Sequence, residues 1–500
     1  MISRVSSRVR SRRSPFSSPP SSFLSTLSHP PVVGPGALSA EERAIRDAAS
    51  SFCAEHLTPA KVLAMDNAAK LDPSLVRALH TSGFMGIEIP EVHGGAGGSF
   101  VASCLAIEEF SKRDASVAVM VDVQNTLVNN VFKKWGSREL QDWALPRLAT
   151  QDVASFALSE PGSGSDAFAL KTRATRDGDS WVIDGGKIWI TNGAEAGLFL
   201  IFANVDPSKG HRGITAFLSE RSAPGLSIGK LEDKLGIRAS STAQLNFDGL
   251  RVHESRVVGK VGEGYKIAIG ILNEGRVGIA AQMLGIAQGA FDIAVPYALQ
   301  RKQFGTRIAD FQGVQHQIAQ AATEISATRA LVYNAARLKM AADEDPTSDP
   351  SEFISQAAMA KLYSSQVAER VTSRCIEWMG GMGFVKESGV EKFWRDAKIG
   401  AIYEGTSNIQ LNTIAKAVRV LKSLQRASAC PSLTPPFPFP RSIRIINDIF
   451  LNTSLLYYIL HPCAPTTLGT GIASRTLSSP QHHATSRSKP IPQPAEGIAP

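Results

Sequence analysis

The chain has 500 residues, 20% of them charged, and a formal net charge of +8. The excess sits at the ends. Residues 1–40 hold five arginines (Arg4, Arg8, Arg10, Arg12 and Arg13) and no acid, and residues 425–500 hold six basic side chains against two acidic ones. Residues 41–424 are therefore close to neutral, which removes the case for nucleic-acid binding.

That core is long enough for two or three domains. Its cysteines, Cys53, Cys104 and Cys375, and the tail's Cys430 and Cys463 are scattered, with no Cys-x-x-Cys. No metal site is expected, and a reduced compartment fits. The acid-free, Arg- and Ser-rich stretch 1–40 has the composition of a mitochondrial transit segment, with a disordered basic arm as the alternative.

Residues 41–150 form the first expected domain and are predicted to be helical. Apolar residues recur at helical spacing over 41–63, 73–82, 100–113, 117–135 and 138–148. The run Ile87-Glu88-Ile89-Pro90-Glu91-Val92-His93-Gly94-Gly95-Ala96-Gly97-Gly98 is glycine-rich like a phosphate cradle. It lacks a Gly-Lys-Ser/Thr ending and a feeding strand, so it is read as a flexible turn.

Residues 151–270 change character. Short β-rich runs at 181–183, 198–203, 214–218, 243–247 and 251–252 are separated by turn chemistry. Those turns include Asp184-Gly185-Gly186 and Asp248-Gly249. The spacing predicts a compact β-barrel or sandwich. No Gly-x-Gly-x-x-Gly follows a strand, which argues against a nicotinamide dehydrogenase.

Residues 271–424 read as helical again, over 275–301, 323–342 and 351–379. These helices are apolar most of the way round, as in a bundle or a subunit interface. The expected fold class is α+β, mostly α: an N-terminal helical domain, a middle β-barrel domain and a C-terminal helical bundle. Residues 425–500 are rich in Pro and Ser and read as a disordered tail. Within it, 443–460 is apolar but interrupted by Arg444, Asn447, Asp448 and Asn452, too polar for a membrane span.

Near the end of the last helical zone lies Ala401-Ile402-Tyr403-Glu404-Gly405-Thr406-Ser407-Asn408-Ile409-Gln410. Leu411, Ile414, Val418 and Leu421 then recur at helical steps, with Thr406, Ser407 and Asn408 as N-cap candidates. Glu404 thus occupies the turn before a helix, and Gly405 removes bulk beside it. A carboxylate with open space in front fits a general base. Taken alone, the same position also fits an acid that merely favours the helix dipole.

Two more stretches carry chemistry: Phe156-Ala157-Leu158-Ser159-Glu160-Pro161-Gly162-Ser163-Gly164-Ser165-Asp166 and Lys187-Ile188-Trp189-Ile190-Thr191-Asn192. Both resemble the flavin-contact motifs of the acyl-CoA dehydrogenase family, and the Glu404 loop resembles that family's catalytic loop. Leu272-Asn273-Glu274-Gly275-Arg276, Arg301-Lys302-Gln303-Phe304-Gly305 and Glu377-Trp378-Met379-Gly380-Gly381 match as well. The resemblance covers residues 41–424.

It implies removal of two hydrogens across Cα–Cβ of an acyl-CoA. Such a reaction needs a base, a hydride acceptor and a polarised thioester carbonyl. No side chain accepts hydride, so a cofactor must, and the resemblance implies FAD. By the same resemblance Trp189, Ile190 and Thr191 lie against the flavin ring, Phe156, Leu158 and Ser159 line it, and Ser165 reaches toward CoA. Arg301 and Gln312 match positions that contact the FAD nucleotide from a neighbouring subunit. Glu377, Trp378, Met379, Gly380 and Gly381 match a cofactor-contact turn, and Thr406, Ser407 and Asn408 would meet the FAD diphosphate at a helix N-terminus. A cofactor shared between subunits implies an oligomer, and the resemblance implies a homotetramer.

Glu404 matches the family's catalytic base, with its backbone N–H helping to polarise the thioester. Isovaleryl and long-chain members carry the base one residue before the arginine matching Arg276. Here that residue is Gly275, so the role falls to Glu404. Asn273 and Arg276 match contacts to the CoA adenosine end, and Tyr265 a substrate contact, while another contact tyrosine is replaced by His211. The resemblance implies a mitochondrial matrix enzyme acting on short or 2-methyl-branched acyl-CoA, with butyryl-CoA as the straight-chain alternative. Electrons would pass to electron-transferring flavoprotein; an oxidase returning them to O₂ is a second reading. A non-catalytic assembly factor would be expected to lose the base or a flavin motif, yet Glu404, Trp189, Thr191 and Ser165 are all present.

Overall fold

The computed structural model describes residues 38–428 apart from 346 and 348. The transit segment expected at 1–40 and the tail expected at 425–500 fall almost wholly outside those residues.

The described residues open with α1 (Ala40–His56), α2 (Pro59–Ala68) and α3 (Pro73–Thr81), followed by α4 (Phe100–Ser111) and α5 (Ala115–Asp122). A π-helical turn, Val123–Asn129, joins α5 to α6 (Asn130–Trp135), and α7 (Arg138–Thr150) completes the set. Caps explain the starts. Ser39 and Glu42 close a reciprocal box on α1, and Thr58 and Asp72 cap α2 and α3 just before Pro59 and Pro73. The Thr58-Pro59 start is also why the helix expected over 41–63 is two helices. All twelve residues of α4 are buried. Glu108 on α4 accepts from Arg329 at 2.9 Å and from the Tyr333 hydroxyl at 2.6 Å.

Strands β1 (Ala154–Ala157), β2 (Arg173–Asp177), β3 (Ser180–Thr191), β4 (Leu198–Asn204), β5 (Ile214–Glu220), β6 (Leu226–Leu231), β7 (Thr242–His253) and β8 (Val257–Val258) form one mixed sheet. Their order is β6-β7-β3-β2-β4-β5-β8, with β1 parallel to β4. Along β4, Leu198, Leu200 and Phe202 join a cluster with helical residues Val128, Leu145 and Ile271. Phe199, Ile201 and Ala203 point to the other face, with Ile183, Leu245 and Leu250. The strand is therefore buried on both sides and reads as a continuous apolar run. Trp181 on β3 meets Phe217 on β5 at 5.8 Å between ring centroids. Three strand spacings separate them, about 14 Å in a flat sheet, so the sheet curls over its inner face toward the expected barrel.

Two expected turns prove to be strand interior. Asp184-Gly185-Gly186 lies within β3 and Asp248-Gly249 within β7, opposite each other where the ladder shifts register. Gly185 has φ +134°, and a Cβ there would lie 2.8 Å from Thr172 Oγ1. The Gly249 N–H donates to Asp184 Oδ1 at 2.7 Å. The glycines make a bulge that bends the pair without ending it.

The last zone begins with α8 (Gly264–Gln300), which starts well before residue 275 because the sheet ends at β8. A hairpin of β9 (Lys302–Gln303) and β10 (Thr306–Arg307) leads to α9 (Gln312–Glu344) and α10 (Ser351–Met379). Short α11 (Gly381–Phe384) and α12 (Val390–Ala397) precede α13 (Ser407–Ser428). Among the described residues α8 alone is long and apolar enough to cross a membrane, and most of it is buried within the protein, packed by α4 and α10.

Candidate active site

The loop between α12 and α13 carries Glu404. Glu404 (φ +50°) and Gly405 (φ +83°) are both left-handed, which turns the chain sharply before α13. A non-glycine residue held there costs about 1–3 kcal/mol and persists only when its surroundings over-determine it. They do. The Lys361 ammonium on α10 donates to the Gly405 carbonyl at 2.6 Å, and Gln410 Nε2 donates to the Glu404 and Gly405 carbonyls, both at 2.9 Å. Tyr403 is tied through its hydroxyl to Gln282. Of the three cap candidates, Thr406 takes the role: its Oγ1 accepts from the Ile409 N–H at 3.4 Å.

The Glu404 carboxyl packs over α8 where the helix is bare. A Cβ on Gly275 would lie 2.9 Å from Glu404 Oε2 and 2.7 Å from Leu127 Cδ2. Gly275 is thus both the missing rival carboxylate and the room for Glu404. Oε2 is buried without a hydrogen-bond partner. Burial pushes the Glu404 pKa up to about 7, while the positive charges of Arg276 and Lys361 hold it from rising further. Burial brings the Lys361 ammonium down to about 8. Arg276 donates to Asn273 Oδ1 at 2.8 Å and keeps a buried Nε unbonded.

The two expected flavin motifs are laced to each other. Ser155 Oγ donates to the Thr191 carbonyl at 2.8 Å, and the Ile188 N–H to the Ser159 carbonyl at 2.9 Å. Lys187, fully buried, donates to the Leu158 carbonyl at 2.9 Å and pairs with Glu160 at 2.7 Å. The result is a preset edge. Trp189 is left-handed (φ +61°) and 59% exposed, between buried Lys187 and buried Ile190. Thr191 is half-buried beside it. Phe156 rests on Phe202 at 4.9 Å, and Leu158 is buried. Ser165 is exposed on the loop beyond. Phe168 meets Tyr265 edge-on and His211 meets it at a tilt, with centroids 4.4 Å away in each case.

Family profiles match the chain three times: acyl-CoA dehydrogenase, N-terminal domain (residues 39–152), middle domain (155–250) and C-terminal domain (262–419). The short/branched chain specific acyl-CoA dehydrogenase, mitochondrial, of Rattus norvegicus is 52% identical over 403 residues, covering 80% of this chain and 91% of that protein. The chain belongs to the acyl-CoA dehydrogenase family. Among solved structures, butyryl-CoA dehydrogenase from Megasphaera elsdenii aligns with TM-score 0.74 and 36% identity, over 77% of this chain and all of that one. A glutaryl-CoA dehydrogenase from Mycobacterium smegmatis in complex with FADH2 aligns with TM-score 0.70 and 29% identity, over 76% of this chain and 95% of that one.

A second group of the residues expected from the family resemblance stands apart on the helical bundle. Arg301 and Gln312 are exposed on either side of the β9–β10 hairpin. The hairpin tip, Phe304-Gly305, has positive φ at both residues, and Phe304 is 96% exposed. The 377–381 turn comes close to the start of α9, because Trp378 Nε1 donates to Gln317 at 2.8 Å. Glu377, Gly380 and Gly381 are exposed there. Trp378 and Met379 are buried in the helical core, which leaves their backbone rather than their side chains to the turn.

Sequence reasoning passed over four residues that shape the site: Lys361, Gln410, Asp122 and Glu160. Lys361 and Asp122 did carry a signal. Each is a lone charge in an apolar helical run, and such a charge is buried only with a reason.

Proposed function

We propose that this acyl-CoA dehydrogenase removes two hydrogens across Cα–Cβ of short or 2-methyl-branched acyl-CoA, with Glu404 as the base. The observation that carries the reading is the buried, unpartnered Glu404 Oε2 with a pKa of about 7, set over Gly275. A base poised near neutrality takes the α-proton with little energetic penalty at working pH. As the Cα–H bond breaks, its proton passes to Glu404; the hydrogen on Cβ leaves with its electron pair, and Cα=Cβ forms. The Glu404 N–H, aimed by the left-handed turn, polarises the thioester oxygen. Arg276 and Asn273 serve the CoA end, with Ser165 and Tyr265 along it.

The residues fit FAD. Trp189 offers an exposed aromatic face on a rigid edge, and Thr406, Ser407 and Asn408 present the first turn of α13, where N–H groups favour a diphosphate. Phe156, Leu158, Ser159, Ile190 and Thr191 complete that wall. FAD, when bound, supplies the acceptor for the β-hydride. Arg301, Gln312 and the 377–381 turn would serve the cofactor of a neighbouring subunit in a homotetramer, with the exposed hairpin tip supporting such an interface. The enzyme would act in the mitochondrial matrix and pass its electrons to electron-transferring flavoprotein.

The test is anaerobic mixing of the purified full chain with a panel of acyl-CoAs, following the flavin band. Bleaching fastest with 2-methylbutyryl- or isobutyryl-CoA is expected. Bleaching fastest with butyryl-CoA would move the substrate to straight chains, and a yellow protein that no acyl-CoA bleaches would sink the reading.

A further inference from the structure

A second buried carboxyl stands near the base and has no part in the chemistry above. Asp122, the last residue of α5, is 1% exposed, and its Oδ1 accepts from Thr126 Oγ1 at 2.8 Å. A Cβ on Gly278 would overlap that Oδ1 and would lie 3.1 Å from Thr126 Cγ2. Gly278 follows Gly275 by three residues, about 4.5 Å along α8. The two carboxyls therefore cover successive bare positions on one face of one helix. Glu404 and Leu127 lie over Gly275, and Asp122 and Thr126 over Gly278.

The helix face that carries Gly275 and Gly278 is open to solvent at one end and buried at the other. Toward the start of α8, Ile269 is 39% exposed and Tyr265 half-buried. Beyond Gly278, Gln282 is fully buried, donating to the Ala115 carbonyl at 2.8 Å and held by Tyr403. The bulky CoA must leave by the open end. The acyl tail then runs from Glu404 toward the closed one.

We propose that Asp122, backed by Thr126, is the end wall of the acyl cleft and restricts the substrate to a short acyl backbone, an inference that rests on the dehydrogenase reading above. The carboxyl fills the space that the missing Gly278 side chain leaves, one helical turn past the reacting carbon. Burial, with the charge of Glu404 adding to it, holds Asp122 well above the ordinary carboxylate range. Such a shift favours the uncharged form of the acid and so works against a second negative charge beside the base. A short chain with a methyl branch stops before it, and a longer straight chain meets it.

The test compares wild type, Asp122→Ala and Asp122→Asn, as FAD-bound full chains, by anaerobic flavin bleaching with 2-methylbutyryl-CoA and octanoyl-CoA. Asp122→Ala is expected to raise the octanoyl to 2-methylbutyryl rate ratio by about tenfold or more, since fit at the level of a methylene is worth roughly 10–200-fold. Asp122→Asn keeps the volume and is expected to leave the ratio at its wild-type value, whatever it does to the rates. An Asp122→Ala protein that binds FAD, bleaches with 2-methylbutyryl-CoA and shows the wild-type ratio overturns the proposal. If that variant does not fold, Gly278→Ala approaches from the other side. Its methyl group overlaps the Asp122 carboxyl and must displace it, so the ratio of 2-methylbutyryl- to propionyl-CoA should change, and an unmoved ratio overturns the wall. Wild type that no acyl-CoA bleaches sinks the dehydrogenase reading itself. That result is distinct from a wild type that bleaches while its variants keep the same ratio.

Discussion

Glu160 and Glu404 each sit near a buried lysine, yet their pKa values shift in opposite directions. Glu160 pairs with Lys187 at 2.7 Å and accepts the Lys171 and Thr172 N–H groups at 2.6 and 3.1 Å. Burial works to raise its pKa, but Lys187 and these donors outweigh it and hold Glu160 below the ordinary value. Glu404 has Lys361 nearby, yet that ammonium is directed at the Gly405 carbonyl, and Oε2 is left without a partner. Burial wins there, and the pKa climbs to about 7. Where the lysine's hydrogen bond points decides whether the acid anchors a loop or is left near neutrality, as the proposed base role needs.

Breaking the base should have the largest effect. Glu404→Gln is expected to keep FAD while flavin reduction by acyl-CoA slows by about 10²–10⁴-fold, the usual share of a general base; stopped-flow bleaching reads it. Breaking the anchor should act on stability instead. Lys187→Met leaves Glu160 buried and unpaired, at an expected cost of about 3–5 kcal/mol in denaturant unfolding. The added Glu160→Gln should recover part of the loss.

Lys361→Met sharpens the contrast, because it removes a positive charge that holds the base down. The acid limb of the rate profile should move to higher pH. The Gly405 carbonyl also loses one of its two donors, at about 1–3 kcal/mol. A further effect is on stability against pH. The folded pKa of Glu404 lies above its ordinary 4.5. Its contribution is therefore fully present below pH 4.5 and is lost as pH rises through about 7. Glu404→Gln should raise Tm relative to wild type at pH 8 and leave it nearly unchanged at pH 4, which calorimetry at the two pH values can check.

Much of this was legible in the sequence. Ser39 and Asp72 act within a few residues of their own helices, and the starts expected at residues 41 and 73 lie within a residue of the observed ones; the cap at Thr58 was passed over, so α1 and α2 were read as one helix. The Glu404 loop and the two flavin motifs are contiguous, and so could be read whole. Three features were not visible, because each depends on residues far apart in the chain. Gly185 and Gly249 look like turns until β3 and β7 face each other and share one bulge. Lys361 stands out as a lone charge in an apolar run, but its partner stays hidden until the Gly405 carbonyl, 44 positions away, reaches it. Gly275 and Gly278 show their purpose only when Glu404 and Asp122 fill the space above them.

The central claim is that Glu404, half-buried with an unpartnered and buried Oε2, is the base. The most direct measurement is the rate of anaerobic flavin bleaching by 2-methylbutyryl-CoA in the wild-type enzyme, followed from pH 5 to pH 9. The account predicts a rate that rises with pH through a single ionisation near the Glu404 value of about 7, then levels off. A rate that stays flat across the range, or that falls as pH rises through neutrality, would contradict it.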